Sequence, residues 1–450
     1  MRLLPSPAPC VSNTLAEQRH NKKMLRSMTP RVSDLLAVLL RPLLFLSYWL
    51  SGFMPRDRRL WLFGSWSGRR YADNAAALFE YVSALPDDSI SPLWITRERD
   101  IAAALKARGL PVCLAWSPRG IWHCLRGGVF IYDGLTRDIN HWLSRGAKRV
   151  LLRHGVGIKR IERCIEHPHH RLYQLFHGKL LQKLFWGFAI PWHLAKPDYA
   201  LATSPEHLLQ GAECYGMHPD QFVITGFPRN DQILAPQPAN DGDLDLRWLS
   251  EQAALQQSVV LYLPTFRDNQ AHFRLGWHQL NEIGVRLGIK FMVKLHYVDA
   301  ERGLGADAAS LSNLYLADAY ADANRLFGAA DAMIGDYSSA VYDFMLTGKP
   351  VLFFIPDEKQ FLEFSRSLYY DYASVTPGPK LRSFADLEAS LARLHQHPES
   401  EWADQYRKVL ERFHSYRDSS ASQRAYRALH AQFLPDRPDA LLTLATKEVE

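Results

Sequence analysis

Residues 329–355, AADAMIGDYSSAVYDFMLTGKPVLFFI, decide the fold. The apolar run 332–334 reads as a buried strand that ends in the turn Gly335-Asp336-Tyr337-Ser338-Ser339. Ala340, Val341, Phe344 and Met345 then recur at helical spacing. Gly348-Lys349-Pro350 breaks that helix, and residues 351–355 form a second apolar strand. A strand–turn–helix–strand unit of this kind belongs to a parallel sheet. Two adjacent hydroxyls, Ser338 and Ser339, fall at the start of its helix. Free N–H groups and the positive end of the helix dipole favour an anion such as phosphate there. An ordinary serine cap is the plainer reading of the same residues.

The same alternation extends in both directions. Short apolar runs at 60–64, 92–95, 111–114, 129–132, 150–152, 199–202 and 222–224 alternate with helix-like segments such as 74–82 and 100–108. After a Pro/Asn/Gly/Asp-rich stretch at 235–245, a second series follows at 259–263, 290–295, 313–316, 332–334 and 351–355. A chain of 450 residues exceeds one ordinary core and calls for two domains plus appendages. We therefore expect an α/β protein with two doubly wound, Rossmann-like domains facing a central cleft, the GT-B arrangement. The division is 1–57 as an N-terminal apolar and basic tail, 58–240 and 241–400 as the two domains, and 401–450 as a helical extension packing back on them. In such sheets ligands bind beyond the carboxyl ends of the strands.

A hydrophobic content of 47% with 22% charged residues is globular, and a net charge of +6 admits an anionic partner without identifying nucleic acid. Cys10, Cys113, Cys124, Cys164 and Cys214 are odd in number and lack CxxC spacing. They read as reduced thiols rather than a disulfide framework or zinc site. Residues 35–54 are largely apolar and flanked by Lys22, Lys23, Arg26 and Arg31 before and by Arg56, Arg58 and Arg59 after. Their length would just cross a hydrocarbon core of about 30 Å. Arg41 and Pro42 fall within them, however, and a central Arg costs roughly 2.5–3.5 kcal/mol on insertion scales. We read an interfacial anchor rather than a span, with a helix packed on the first domain as the alternative. No secretory cleavage site is evident. Residues 158–192 carry Lys159, Arg160, Arg163, Arg171, Lys179 and Lys183 among Phe176, Phe185, Trp186, Phe188 and Trp192. They read either as a bilayer-surface hairpin or as an inter-domain helix whose lysines snorkel. His167, His169 and His170 read as a solvated loop.

Polar residues cluster where strands end. Leu151-Leu152-Arg153-His154-Gly155 and Lys294-Leu295-His296 each place a histidine after a strand, one per domain. An imidazole near its reference pKa accepts a hydroxyl proton at neutral pH. Thr225-Gly226-Phe227-Pro228-Arg229-Asn230-Asp231 and Pro264-Thr265-Phe266-Arg267-Asp268-Asn269 each add a guanidinium, whose planar fork suits a pyrophosphate; a salt-bridged turn is the alternative for either. GxGxxG, GxxxxGK[ST] and HExxH are absent.

Taken in order, His154-Gly155-(x)3-Lys159, Gly226-(x)-Pro228-Arg229-Asn230-Asp231, Pro264-Thr265-Phe266-Arg267-Asp268-Asn269, Lys294-Leu295-His296 and Asp336-Tyr337-Ser338-Ser339 resemble the CDP-glycerol glycerophosphotransferase family, the teichoic-acid primases and polymerases. Phe63-Gly64-Ser65 and Tyr71-Ala72-Asp73-Asn74 resemble the family's opening strand and turn. The resemblance implies a GT-B fold with an acceptor-side first domain and a nucleotide-donor second domain. It implies transfer of a polyol phosphate, foremost glycerol phosphate, from a CDP-activated donor to a hydroxyl of a lipid-linked or polymeric glycan, releasing CMP. By the matches, His154 would be the catalytic base. His296, Ser338 and Ser339 would hold the donor's pyrophosphate with Arg229, Arg267 and Asn269, supported by Lys159, Asp231, Asp336 and Asp343. No cofactor is required, although Asp336 and Asp343 could join a weak divalent-cation site. The expected place is the cytoplasmic face of the cell membrane, with a membrane surface as partner and no nucleic acid. Two departures from the family pattern are Val156-Gly157 where Thr-Pro is usual and Tyr297 where Pro is usual. The other readings are a GT-B glycosyltransferase using a sugar nucleotide and a non-catalytic, membrane-peripheral protein binding anionic polymers.

Overall fold

Parallel strands buried on both faces build two separate sheets. In a computed structural model, residues 40–86, 89–235, 243–267, 275–364, 367–396 and 402–435 are described. Residues 35–39, the basic residues preceding them, Cys10, Asp268 and Asn269 lie outside the described residues. The first sheet has seven strands in the order β3-β2-β1-β4-β5-β6-β7. They are β1 (Asp57–Gly64), β2 (Ser91–Thr96), β3 (Val112–Leu114), β4 (Gly127–Tyr132), β5 (Lys148–Leu151), β6 (Tyr199–Ala202) and β7 (Phe222–Ile224). The second has six, in the order β10-β9-β8-β11-β12-β13. These are β8 (Val259–Tyr262), β9 (Lys290–Val293), β10 (Leu314–Leu316), β11 (Ala332–Gly335), β12 (Val351–Phe354) and β13 (Lys380–Leu381). Every residue of β4, β8, β11 and β12 is buried, which is why these strands appear in the sequence as unbroken apolar runs. β13, only two residues long, carries no such signal.

In each sheet the order reverses once, between β1 and β4 and between β8 and β11. Loops leaving neighbouring strands at such a reversal diverge and open a crevice at their carboxyl ends. The two crevices face each other. Each sheet is covered on both faces, by clusters around Phe79 and Phe130 in the first and around Met333 and Phe291 in the second. Val156, Ile158 and Phe227 of the first domain belong to the same apolar cluster as Phe327, Phe344 and Met345 of the second, so the domains share a core at their junction.

The C-terminal helices cross this junction. Helix Ala403–Phe413 buries Val409, Leu410 and Phe413 in the second domain's cluster. Helix Ala421–Phe433 returns to the first, burying Ala425, Tyr426, Leu429 and Phe433 beside β1 and β4. Near the N-terminus, helix Arg41–Ser51 lays Phe45 against Trp142 (ring centroids 5.2 Å apart) and Tyr48 against His141 (5.0 Å). Its outward face leaves Leu43, Leu46, Trp49 and Leu50 exposed. Among the described residues no helix is long and apolar enough to cross a membrane.

Candidate active site

Both histidines sit three residues beyond a strand, His154 after β5 and His296 after β9. They line one cleft of about 730 Å³ between the domains, together with Trp66, Arg70, Asp73, Lys159, Lys294 and the Ser338/Ser339 pair. Arg153 and Gly155 have positive φ, +67° and +137°, so the chain turns sharply around His154. A β-carbon on Gly155 would lie 2.7 Å from Ser339 Oγ, so glycine lets the His154 turn of one domain touch the Ser338-Ser339 turn of the other. The strained Arg153 is held from several sides. Its carbonyl accepts from Asn74 Nδ2 at 2.8 Å, while its buried guanidinium donates to the His207 carbonyl (2.7 Å) and Gln210 Oε1 (3.0 Å).

The His154 ring opens to the cleft, with the Trp66 indole at 6.3 Å between centroids. Crowding by the cleft walls holds its pKa below the usual histidine value, Arg229 and Arg153 push the same way, and Asp73 opposes them. A neutral imidazole is the form that accepts a proton. His296 differs. Its Nδ1 accepts from Val298 N at 3.4 Å, which leaves the neutral ring's proton on Nε2. Desolvation and then Arg70, Lys159 and Lys294 lower its pKa to about 4. One histidine is suited to take a proton, the other to donate a hydrogen bond.

Ser338 and Ser339 reach the cleft as expected of the β11 turn, but the helix they begin, Ala340–Phe344, has only five residues. Its dipole is correspondingly short. What remains for an anion are the hydroxyls, one of which (Ser338 Oγ) accepts from Ala340 N at 3.3 Å, and nearby cations. Lys159 lines the same wall, its Nζ 5.2 Å from the centre of the Phe361 ring.

The two arginines proposed for pyrophosphate are already held by carboxylates. Arg229 is buried and donates to Asp73 (2.6 Å) and to Asp343, joining the domains. Arg267 is buried between Asp336 (2.9 Å) and Asp357 (2.7 Å) and supports the turn after β8, where Thr265 N and Oγ1 also donate to Asp336. Asp336 and Asp343, considered for a divalent cation, are thus each paired with a guanidinium. Asp231 lies away from the cleft and accepts from Ala421 N and Ser422 N, both at 2.8 Å, at the start of helix Ala421–Phe433.

Several cleft residues were not assigned roles from sequence. Asp73, buried and with φ +70°, begins helix Asp73–Ala84 and donates its N–H to Asp322 of the second domain at 3.1 Å. Asn74, fully buried, ties the Arg153 carbonyl to the Arg229 N–H, which donates to Asn74 Oδ1 at 3.1 Å. Their only sequence signal was membership of the opening Tyr71–Asn74 motif. Lys294, whose pKa burial and then Arg70 lower to about 8, was visible only as part of the Lys294-Leu295-His296 motif.

The family described as CDP-Glycerol:Poly(glycerophosphate) glycerophosphotransferase matches residues 46–431. The teichoic acid poly(glycerol phosphate) polymerase of Bacillus subtilis (strain 168) is 23% identical over 375 residues, 80% of this chain. The chain spans 47% of that polymerase, about half its length. The teichoic acid glycerol-phosphate transferase of Staphylococcus aureus (strain NCTC 8325 / PS 47) is 24% identical over 388 residues, covering 82% of this chain and 92% of that protein. The structure of the wall teichoic acid polymerase TagF superposes with a TM-score of 0.68 at 19% identity, over 95% of this chain and 99% of that one, which shows the shared fold.

Proposed function

Because the chain belongs to the CDP-glycerol:poly(glycerophosphate) glycerophosphotransferase family, we propose that it transfers glycerol phosphate from CDP-glycerol to a hydroxyl of a growing cell-surface polymer and releases CMP. The observation that carries this reading is the pair of histidines from opposite domains on one cation-rich cleft, each with the protonation state its task needs. His154 takes the proton of the acceptor hydroxyl. The oxygen attacks the phosphorus that bears glycerol, and the bond from that phosphorus to the bridging oxygen of CMP breaks. His296 Nε2–H, the Ser338 and Ser339 hydroxyls, Lys159 and Lys294 meet the charge on the departing CMP. Positioning and charge stabilisation dominate such transfers, with general-base help worth about 10²–10⁴-fold. Arg229 and Arg267, both bound to carboxylates, shape the site from beneath.

We extend the reading to a peripheral position on the cytoplasmic face of the membrane, with a lipid-linked acceptor. Helix Leu180–Ala189 buries none of its residues and exposes Leu180, Leu181, Leu184, Phe185 and Phe188 beside Lys179 and Lys183. Phe188 stacks on Phe45 of helix Arg41–Ser51 at 5.5 Å, which joins the two exposed apolar faces into one. An apolar face bordered by lysines suits an anionic bilayer surface.

The test is CMP release from CDP-glycerol with a glycerophosphate-primed acceptor, for the natural chain and for His154→Ala. Release that requires acceptor and falls at least 100-fold in the variant supports the assignment. Equal release by both would remove His154 as the base, and turnover of CDP-ribitol alone would move the reading to another polyol.

A further inference from the structure

Arg70 is a cleft cation that the scheme above leaves unused. It lies on the first-domain loop between β1 and helix Asp73–Ala84, yet its guanidinium rests among groups of the second domain. It lies over the rings of Tyr297 (5.3 Å) and Tyr320 (5.8 Å) and over Trp66 of its own loop (5.3 Å). Its Nη2 donates to the Ala319 carbonyl at 3.2 Å. Arg229 and Arg267 each hold two carboxylates; among the described residues Arg70 pairs with none.

Arg70, Lys159, Lys294 and His296 therefore converge on one corner of the cleft, brought there by three separate loops. The cations act on one another: Arg70 is the strongest charge depressing Lys294, and together with Lys159 and Lys294 it depresses His296, in both cases after desolvation. Like charges gathered in a partly dry crevice are relieved by a ligand of opposite sign. The ligand chemistry is phosphate, and it could come from the nucleotide donor or from a phosphate of the acceptor chain. The corner lies beyond the carboxyl ends of β9 and β10, where Tyr297, Ala319 and Tyr320 meet Arg70 and His296 follows β9.

We propose that Arg70 binds the donor's diphosphate from the opposite domain, closing the anion site that His296, Lys159 and Lys294 form. This rests on the transferase reading above and adds to it a ligand-binding residue supplied across the cleft. The stacked rings hold the guanidinium in place before the donor arrives, which lowers the ordering cost of binding. Trp66 on the same loop lies beside the His154 ring, with centroids 6.3 Å apart.

The test uses the full chain and Arg70→Gln and Arg70→Lys variants. Calorimetric titrations with CDP, inorganic pyrophosphate and cytidine are set beside KM for CDP-glycerol and for the acceptor. Loss of one charge-assisted phosphate contact corresponds to a weakening of about 10–100-fold. Arg70→Gln is expected to weaken CDP and pyrophosphate by that factor, to leave cytidine unchanged and to raise the donor KM alone, with Arg70→Lys partly restoring it. Unchanged CDP affinity together with a lower Tm would make Arg70 a domain clasp and overturn the proposal. So would a rise in acceptor KM with donor KM unmoved. A natural chain that turns over no CDP-glycerol, but whose pyrophosphate binding is lost in Arg70→Gln, would defeat the transferase reading and uphold the diphosphate site.

Discussion

His154 and His296 share a position relative to their strands but not an environment, and the difference yields a pH dependence. As the proposed base, His154 must be neutral, and its folded pKa lies below the ordinary histidine value. Activity is therefore full above that depressed pKa and lost as pH falls through it. His296, at about 4, is neutral above pH 5 and sets no limb there. The expected pH profile of CMP release has a single acidic limb with an apparent pKa under 6.5, and a limb at 7 or higher would contradict the assignment. At Gly155, alanine meets both an unfavourable φ of +137° and Ser339 Oγ at 2.7 Å. Gly155→Ala should cost about 1–3 kcal/mol in thermal unfolding and lower the turnover rate more than donor affinity, since it displaces the base. Histidine positions after strands were readable from local sequence. The opposing electrostatics were not, because Asp73, Arg70 and Arg229 reach the histidines from loops distant in the chain.

Elements show the same division. Strands β4, β8, β11 and β12 were legible because both faces are buried, whereas β13 has two residues and no pattern. Asp231 sits in a motif that resembled a phosphate turn, yet it receives the first N–H groups of helix Ala421–Phe433. Asp231→Ala should destabilise the protein by about 1 kcal/mol, seen as a lower Tm with donor KM unaltered. A higher donor KM would return this carboxylate to the site. The exposed face of helix Leu180–Ala189 carries its own prediction. Leu181→Glu with Phe185→Glu should reduce sedimentation with anionic phosphatidylglycerol vesicles at least tenfold and leave CMP release to a soluble acceptor unchanged. Vesicle binding equal to that of the natural chain would exclude this face as the membrane contact.

For the whole molecule, the junction is polar at its centre and apolar around it. Arg229 lies between Asp73 of the first domain and Asp343 of the second, next to the shared cluster of Val156, Phe227 and Phe344. Removing one partner of a buried ion pair leaves uncompensated charge and costs roughly 3–5 kcal/mol. Arg229→Met should therefore lower Tm and separate the unfolding of the two domains in calorimetry; one unshifted transition would refute the clasp. The C-terminal helices add to this coupling, since one packs on each domain. Sequence alone determined the two α/β domains, the strand order in time along the chain, the family resemblance and the histidine at each strand end, because these depend on local apolar periodicity and contiguous motifs. Tertiary structure decided which cations carboxylates compensate. Arg229 and Arg267 are each held by two carboxylates, from Asp73, Asp343, Asp336 and Asp357, while Arg70, given no role from sequence, meets the rings of the facing domain. Charge compensation is a property of distance in space, and adjacency in sequence does not encode it.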